Sequence, residues 1–211
     1  MIALLLAAVV ATSTPQCAAT GSNEKLVQQM DLASYGRTLV ASTYEVPGDG
    51  VGGIAATRLL IHSPACEPLF AEEFEGTTEI KLTLVRLAKT PFLVASVLSP
   101  GGSGCGLNHV LISYDGEPRA FAPAALGHDN MGGLYVGDLG HGRGPGLVLL
   151  EALWDGGSHY DPHPYRAWVY RWTDQRFIGP QVTKTKPMRP DPARVARSLG
   201  LPFSAAMSFD C

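Results

Sequence analysis

The sequence predicts an all-β protein, an array of about four small antiparallel sheets with short helices at its ends. Three observations predict it. Of 211 residues, 24 are Gly and 16 are Pro, so turn formers interrupt the chain too often for long helices. Strand–turn–strand patterns recur along the chain. The segments between them are short apolar runs rich in Leu and Val, as expected for covered strands.

The amino terminus reads differently. Ile2 to Ala11 is unbroken apolar sequence. It is too short to span a bilayer, which takes about 20 residues, and it suits the core of a secretory leader. Cys17-Ala18-Ala19 is the best small-residue triplet, so residues 1–19 are expected to be removed, with a cut after Ser13 as the alternative. Thr14-Pro15-Gln16 lacks the Leu and the small residue that precede a lipidated Cys. Residues 20–36 read as a lead-in with a polar helical stretch from Asn23 to about Ala33. No later segment is long and apolar enough for a membrane span.

Residues 37–182 carry the repeat. Leu60-Ile61 leads through a Pro-containing turn to Leu69-Phe70. Leu111-Ile112 leads through Asp115-Gly116 to Ala120-Phe121. Trp168-Val169 leads through Thr173-Asp174 to Arg176-Phe177. Each reads as a hairpin. Between them, Pro91-Phe92-Leu93-Val94 runs to a Gly101-Gly102-Ser103 turn, and Pro145-Gly146-Leu147-Val148 runs to a Gly156-Gly157-Ser158 turn. Strands at Glu79 to Leu87 and Gly133 to Asp138 precede those runs, and Ile80, Leu82 and Leu84 alternate onto one face. A period of about 50–57 residues with four strands per unit is propeller-like, with a two-sheet β-sandwich as the alternative. Arg37 to Thr43 is the candidate start of a fourth unit. Residues 183–211 form a tail in which Asp191 caps a short helix, Pro192 opens it and Gly200 ends it.

Export would place the chain in an oxidising compartment, periplasmic or extracellular. The four Cys are Cys17, Cys66, Cys105 and Cys211, and no pair has metal-site spacing. If the leader carries Cys17 away, one disulfide among Cys66, Cys105 and Cys211 remains with one odd thiol. If Cys17 stays, the four Cys allow two bridges in three connectivities. The pairing is open on sequence alone.

The stretch Val136-Gly137-Asp138-Leu139-Gly140-His141-Gly142-Arg143-Gly144-Pro145-Gly146-Leu147-Val148-Leu149 resembles the FG-GAP and VCBS type of repeat of integrin-like propellers and many exported bacterial proteins. The resemblance covers residues 133–180 best and 58–180 loosely. It implies a propeller-like fold and a calcium loop of the form D-x-[DN]-x-D-G-x-x-[DE]. Calcium wants six to eight oxygens, several of them carboxylates. Here Asp138 alone keeps a carboxylate, Gly140, Gly142 and Gly146 fall on other ligand positions, and Arg143 adds positive charge. The loop shape is expected to persist without the metal, and no cofactor is expected. Some exported proteins resembling this group are periplasmic inhibitors that protect the cell wall from lytic enzymes.

His159-Tyr160-Asp161-Pro162-His163-Pro164 is the densest ligand-like stretch. His159, Asp161 and His163 could meet a zinc ion, with His128 or His141 from neighbouring loops. Pro162 and Pro164 bar the helix that would align the two His, so a rigid surface loop is the plainer reading. No G-x-S-x-G elbow or phosphate loop appears. Trp168, Tyr170 and Trp172 alternate on one strand face, more simply as packing between sheets than as a ligand platform.

Lys plus Arg number 16 and Asp plus Glu 19, a net charge of −3, which argues against a nucleic-acid partner. At 45% hydrophobic and 17% charged residues, the chain can bury a core. The preferred expectation is an exported, non-enzymatic binding domain. Its contacts would come from rim loops carrying Ser103, Asn108, Trp154, Ser158, His159, Tyr160 and Tyr165. The partner would be a protein or a cell-wall glycan, with inhibition of a cell-wall lytic enzyme as one form. A metal-dependent hydrolase using His159, Asp161 and His163 and a structural envelope module are the alternatives.

Overall fold

The computed structural model describes residues 17, 23–34, 37–48, 53–75, 79–98, 107–121, 133–153, 157–158, 161–189 and 191–201. Among them the chain is all-β. The first sheet contains β1 (Lys25–Ser34), β2 (Arg37–Pro47), β3 (Ile54–His62) and β4 (Pro68–Glu75). The second contains β5 (Ile80–Leu87), β6 (Thr90–Leu98), β7 (Leu107–Ser113) and β8 (Arg119–Ala120). The third contains β9 (Gly133–Asp138), β10 (Pro145–Ala152), β11 (Tyr165–Thr173) and β12 (Arg176–Lys184). In each sheet the strands lie side by side in chain order and pair antiparallel, so each is a meander, and none closes into a barrel. A single helix among the described residues, α1 (Pro192–Ser198), follows.

Two expectations change. The helical lead-in expected over 20–36 is a strand where it is described. β1 pairs with β2 from Lys25↔Glu45 to Ser34↔Arg37, and Leu32 alternates into the core. The stretch is polar enough to read as a helix, but a neighbouring ladder overrides so weak a local preference. Arg37 to Thr43 is no separate unit either. It lies in β2 and, with the Leu60–Phe70 hairpin, completes the first of the three sheets among the described residues.

The sheets stack through shared apolar layers. Leu39, Ala41, Leu59 and Ile61 of the first meet Ile80, Leu82, Leu93, Ala95 and Ile112 of the second. The opposite face of the second sheet presents Leu87, Phe92, Val94 and Leu111 to Leu134, Leu147, Leu149 and Trp172 of the third. β10 is therefore covered on both faces. Its other face (Val148, Leu150, Ala152) packs under Val195 and Ala196 of α1 and Leu201. The helix begins as its sequence requires: the Asp191 side chain accepts the Arg194 amide at 3.1 Å, and Pro192 stands in the first turn.

The three hairpin Phe residues are equivalent only in part. Phe70 pairs with Ile61, and the Phe121 amide bonds the Leu111 carbonyl at 2.9 Å. Both rings sit on the face that meets the following sheet. Phe177 pairs with Trp172 and turns back towards the second sheet, with its ring centroid 6.3 Å from that of Phe121. The two-residue turn at Asp174-Gln175 sets that pairing, and Trp172 faces the second sheet.

Phe92, beside the β5–β6 turn, packs edge-on against Trp172, beside the β11–β12 turn, at 5.1 Å. The turn ends of the second and third sheets therefore coincide. At the end of the second sheet away from this contact β6 ends at Leu98 and β7 begins at Leu107, and at the corresponding end of the third β10 ends at Ala152 and β11 begins at Tyr165.

Candidate functional site

The predicted site residues divide between the two ends. By chain position the rim candidates flank two sheet ends, that of Leu98 and Leu107 in the second sheet and that of Ala152 and Tyr165 in the third. Ser103, Trp154, His159 and Tyr160 lie outside the described residues, as do His128, Cys105 and Cys211. Asn108 stands exposed near the start of β7, and Ser158 is exposed before β11. Tyr165 corrects the expectation of a contact residue. Its side chain is wholly buried in the layer under α1, where burial pushes its phenol up to about 12. Burial likewise raises Tyr170, and raises Tyr114 against the opposing charge of Arg86.

The loop before β11 is folded around the main chain of Ser158. The Asp161 carboxylate accepts the Ser158 amide at 2.8 Å, and the Asp161 amide returns a bond to the Ser158 carbonyl at 2.9 Å. His163 Nε2 lies 2.8 Å from that same carbonyl. A carbonyl only accepts, so Nε2 carries a proton and is not available as a metal ligand in this arrangement. The His163 main chain bridges Met188 through bonds of 3.0 and 2.9 Å, fixing the loop to the tail. Asp161 and His163 thus shape the loop. Among the described residues no three His, Cys, Asp or Glu side chains are grouped to hold a metal ion.

The Asp138–Pro145 connection lies at the opposite end. Asp138 Oδ1 accepts the Gly140 amide at 2.8 Å, a local turn bond. Gly140, His141, Gly142 and Gly144 have φ of 70°, 50°, 73° and 75°, a left-handed run that glycine makes cheap. The Arg143 guanidinium lies against the loop carbonyls. It donates to Leu139, to Gly140 at 3.2 Å and to Gly200 at 2.7 Å. The loop carries one carboxylate, used in its own turn, and an internal cation bonded to its carbonyls. These residues do not fit a calcium ion.

Sequence reasoning missed the role of Cys17. It is buried and disulfide-bonded to Cys66, with Cα atoms 5.3 Å apart. A cut after Ala19 would remove this anchor, whereas a cut after Ser13 would keep it. The thiol is also engaged, which removes it as a lipid attachment point. Also missed was a buried Ser42–His62 pair on the outer face of the first sheet. The alternation of β2 and β3 could have signalled it, because it puts both polar residues on one face. Trp172 is buried between sheets, and Trp168 and Tyr170 pack beside it, so the aromatic stripe belongs to the core. No helix among the described residues is long and apolar enough to cross a membrane. The chain matches no protein-family model, no curated protein and no solved structure.

Proposed function

We propose that the chain is an exported binding domain whose rim holds its ligand without transforming it. The ligand class is a protein or a cell-wall glycan, and the favoured form is a periplasmic inhibitor of a cell-wall lytic enzyme. The single observation that carries this reading is that the β6–β7 and β10–β11 connections both leave the sheet ends away from the Phe92–Trp172 contact. It gives each candidate loop a rigid sheet end as its base, the usual setting for recognition. The use of Asp161 and His163 to shape their own loop supports holding over catalysis. The Cys17–Cys66 disulfide supports an oxidising compartment and a mature chain that begins before Cys17.

The test is inhibition of peptidoglycan lysis by purified envelope lytic enzymes, with Asn108→Arg and Ser158→Arg as rim variants. The reading expects stoichiometric inhibition by the parent protein and at least about tenfold weaker inhibition by the variants, about 1.4 kcal/mol. Stoichiometric zinc lost on His159→Ala would replace this reading with the metal-dependent hydrolase. Edman sequencing of the exported protein checks the start: it should retain Cys17.

A further inference from the structure

The outer face of the first sheet carries a hydrogen-bonded chain that the rim does not use. β2 and β3 pair Val40 with His62 and Ser42 with Leu60, which makes Ser42 and His62 diagonal neighbours on one face. Ser42 Oγ lies 3.0 Å from His62 Nε2. His62 Nδ1 lies 2.8 Å from the Ser63 carbonyl. That carbonyl can only accept, so Nδ1 holds the ring proton, and in the neutral ring Nε2 is the acceptor. Ser42 must then donate to His62. Gln29 Nε2 donates to Ser42 Oγ at 3.4 Å. Every donor points one way, from Gln29 through Ser42 and His62 to Ser63. This is the order of nucleophile, base and orienting group found in serine acyl transfer, with a main-chain carbonyl as the orienting group.

Cys17 covers this chain. Its Sγ lies 3.2 Å from His62 Nδ1, and its carbonyl accepts the Tyr44 hydroxyl at 3.0 Å. Its partner Cys66 stands in the β3–β4 connection, four residues beyond His62. Ser42 and His62 are both fully buried.

We propose that Ser42 is a latent nucleophile, activated by His62 and masked by the Cys17–Cys66 disulfide. Its substrate class is a small carboxylic ester, and its trigger is a dithiol reductant. In the opening step the dithiol is oxidised to a disulfide while Cys17 and Cys66 are reduced to thiols. Ser42 Oγ then attacks the ester carbonyl. A new C–O bond forms, the hydroxyl proton passes to His62 Nε2, and the ester C–O bond breaks. The leaving alcohol takes that proton. The proposal concerns a different sheet face from the rim and stands or falls separately from it.

The probe is a fluorophosphonate, which bonds to Ser42 oxygen as its P–F bond breaks and fluoride leaves. Labelling is read by intact mass and peptide mapping with and without dithiothreitol, and near-UV circular dichroism reports the fold. The expected result is one label on Ser42 in the reduced protein, at least tenfold less in the oxidised protein, none in Ser42→Ala and at least tenfold slower labelling in His62→Gln. The Cys17→Ser, Cys66→Ser double variant should label without reductant. A reduced, folded protein that stays unlabelled would overturn the proposal. So would a rate indifferent to His62→Gln. Loss of the fold on reduction and in the double variant would also overturn it, since the disulfide would then be a clamp and not a gate.

Discussion

Arg143 and Gly200 are joined by a 2.7 Å hydrogen bond across 57 residues of chain. The same guanidinium donates to the carbonyls of Leu139 and Gly140. One side chain therefore orders the β9–β10 connection and holds it against the segment that follows α1. Replacing Arg143 with Ala leaves these carbonyls without their cation and should cost about 2 kcal/mol, since hydrogen bonds to charged groups are worth about 1.5–3. Lys supplies the charge without the fork and should recover only part of the loss. Urea midpoints of the three proteins check this. Calcium should leave the parent midpoint unchanged.

The disulfide closes a loop between residues 49 apart in sequence. On the chain-entropy view such a loop stabilises by about 4 kcal/mol, towards the upper end of the usual range. Cys66→Ala should lower the midpoint accordingly. Dithiothreitol should lower the parent midpoint by more than it lowers that of the variant, the difference matching the loss in Cys66→Ala.

Tyr165 supplies a pH signature. Its phenol is raised to about 12 in the folded chain, against an ordinary value of 10.0, by burial. Between those values the folded state holds the proton more tightly than the unfolded chain. Its contribution is thus complete below pH 10 and declines as pH rises towards 12. Tyr114 and Tyr170 are raised too and act in the same direction. Denaturation series from pH 9 to 12 should show stability falling, and Tyr165→Phe should make that fall shallower without abolishing it.

Phe92 is the hub of the layer between the second and third sheets. Its ring centroid lies 5.5 Å from Phe121, 5.1 Å from Trp172 and 6.2 Å from Phe177, and it is fully buried. Phe92→Ala should cost about 3–5 kcal/mol through lost transfer energy and a cavity. In a cycle with Phe177→Leu, the two changes should be non-additive by at least about 0.5 kcal/mol, as neighbours sharing a cavity are.

Gly146 opens the buried part of β10. A Cβ there would run into the Tyr170 carbonyl and the Leu139 side chain. Because the first obstacle is backbone, the strand itself would have to move. Gly146→Ala should destabilise by about 1–3 kcal/mol, whereas Gly116→Ala, which meets open space, should differ by less than about 0.5.

The sequence by itself determined the local vocabulary. The alternation of Ile80 and Leu82, the apolar run from Leu147 and the turn residues between hairpins are physical requirements of half-covered and fully covered strands, and each became one. Asp191, Pro192 and Gly200 framed the helix because caps are local. The tertiary structure decided what depends on partners distant in the chain. Lys25 to Ser34 is a strand because β2 offers it a ladder. Phe177 faces backwards because its two-residue turn pairs it with Trp172, which packs against the second sheet, and the spacing of Phe residues does not encode that pairing. Tyr165 is core because α1 closes over it. Cys17 belongs to the fold because Cys66 lies within bonding reach, and Ser42 meets His62 because strand pairing set them side by side.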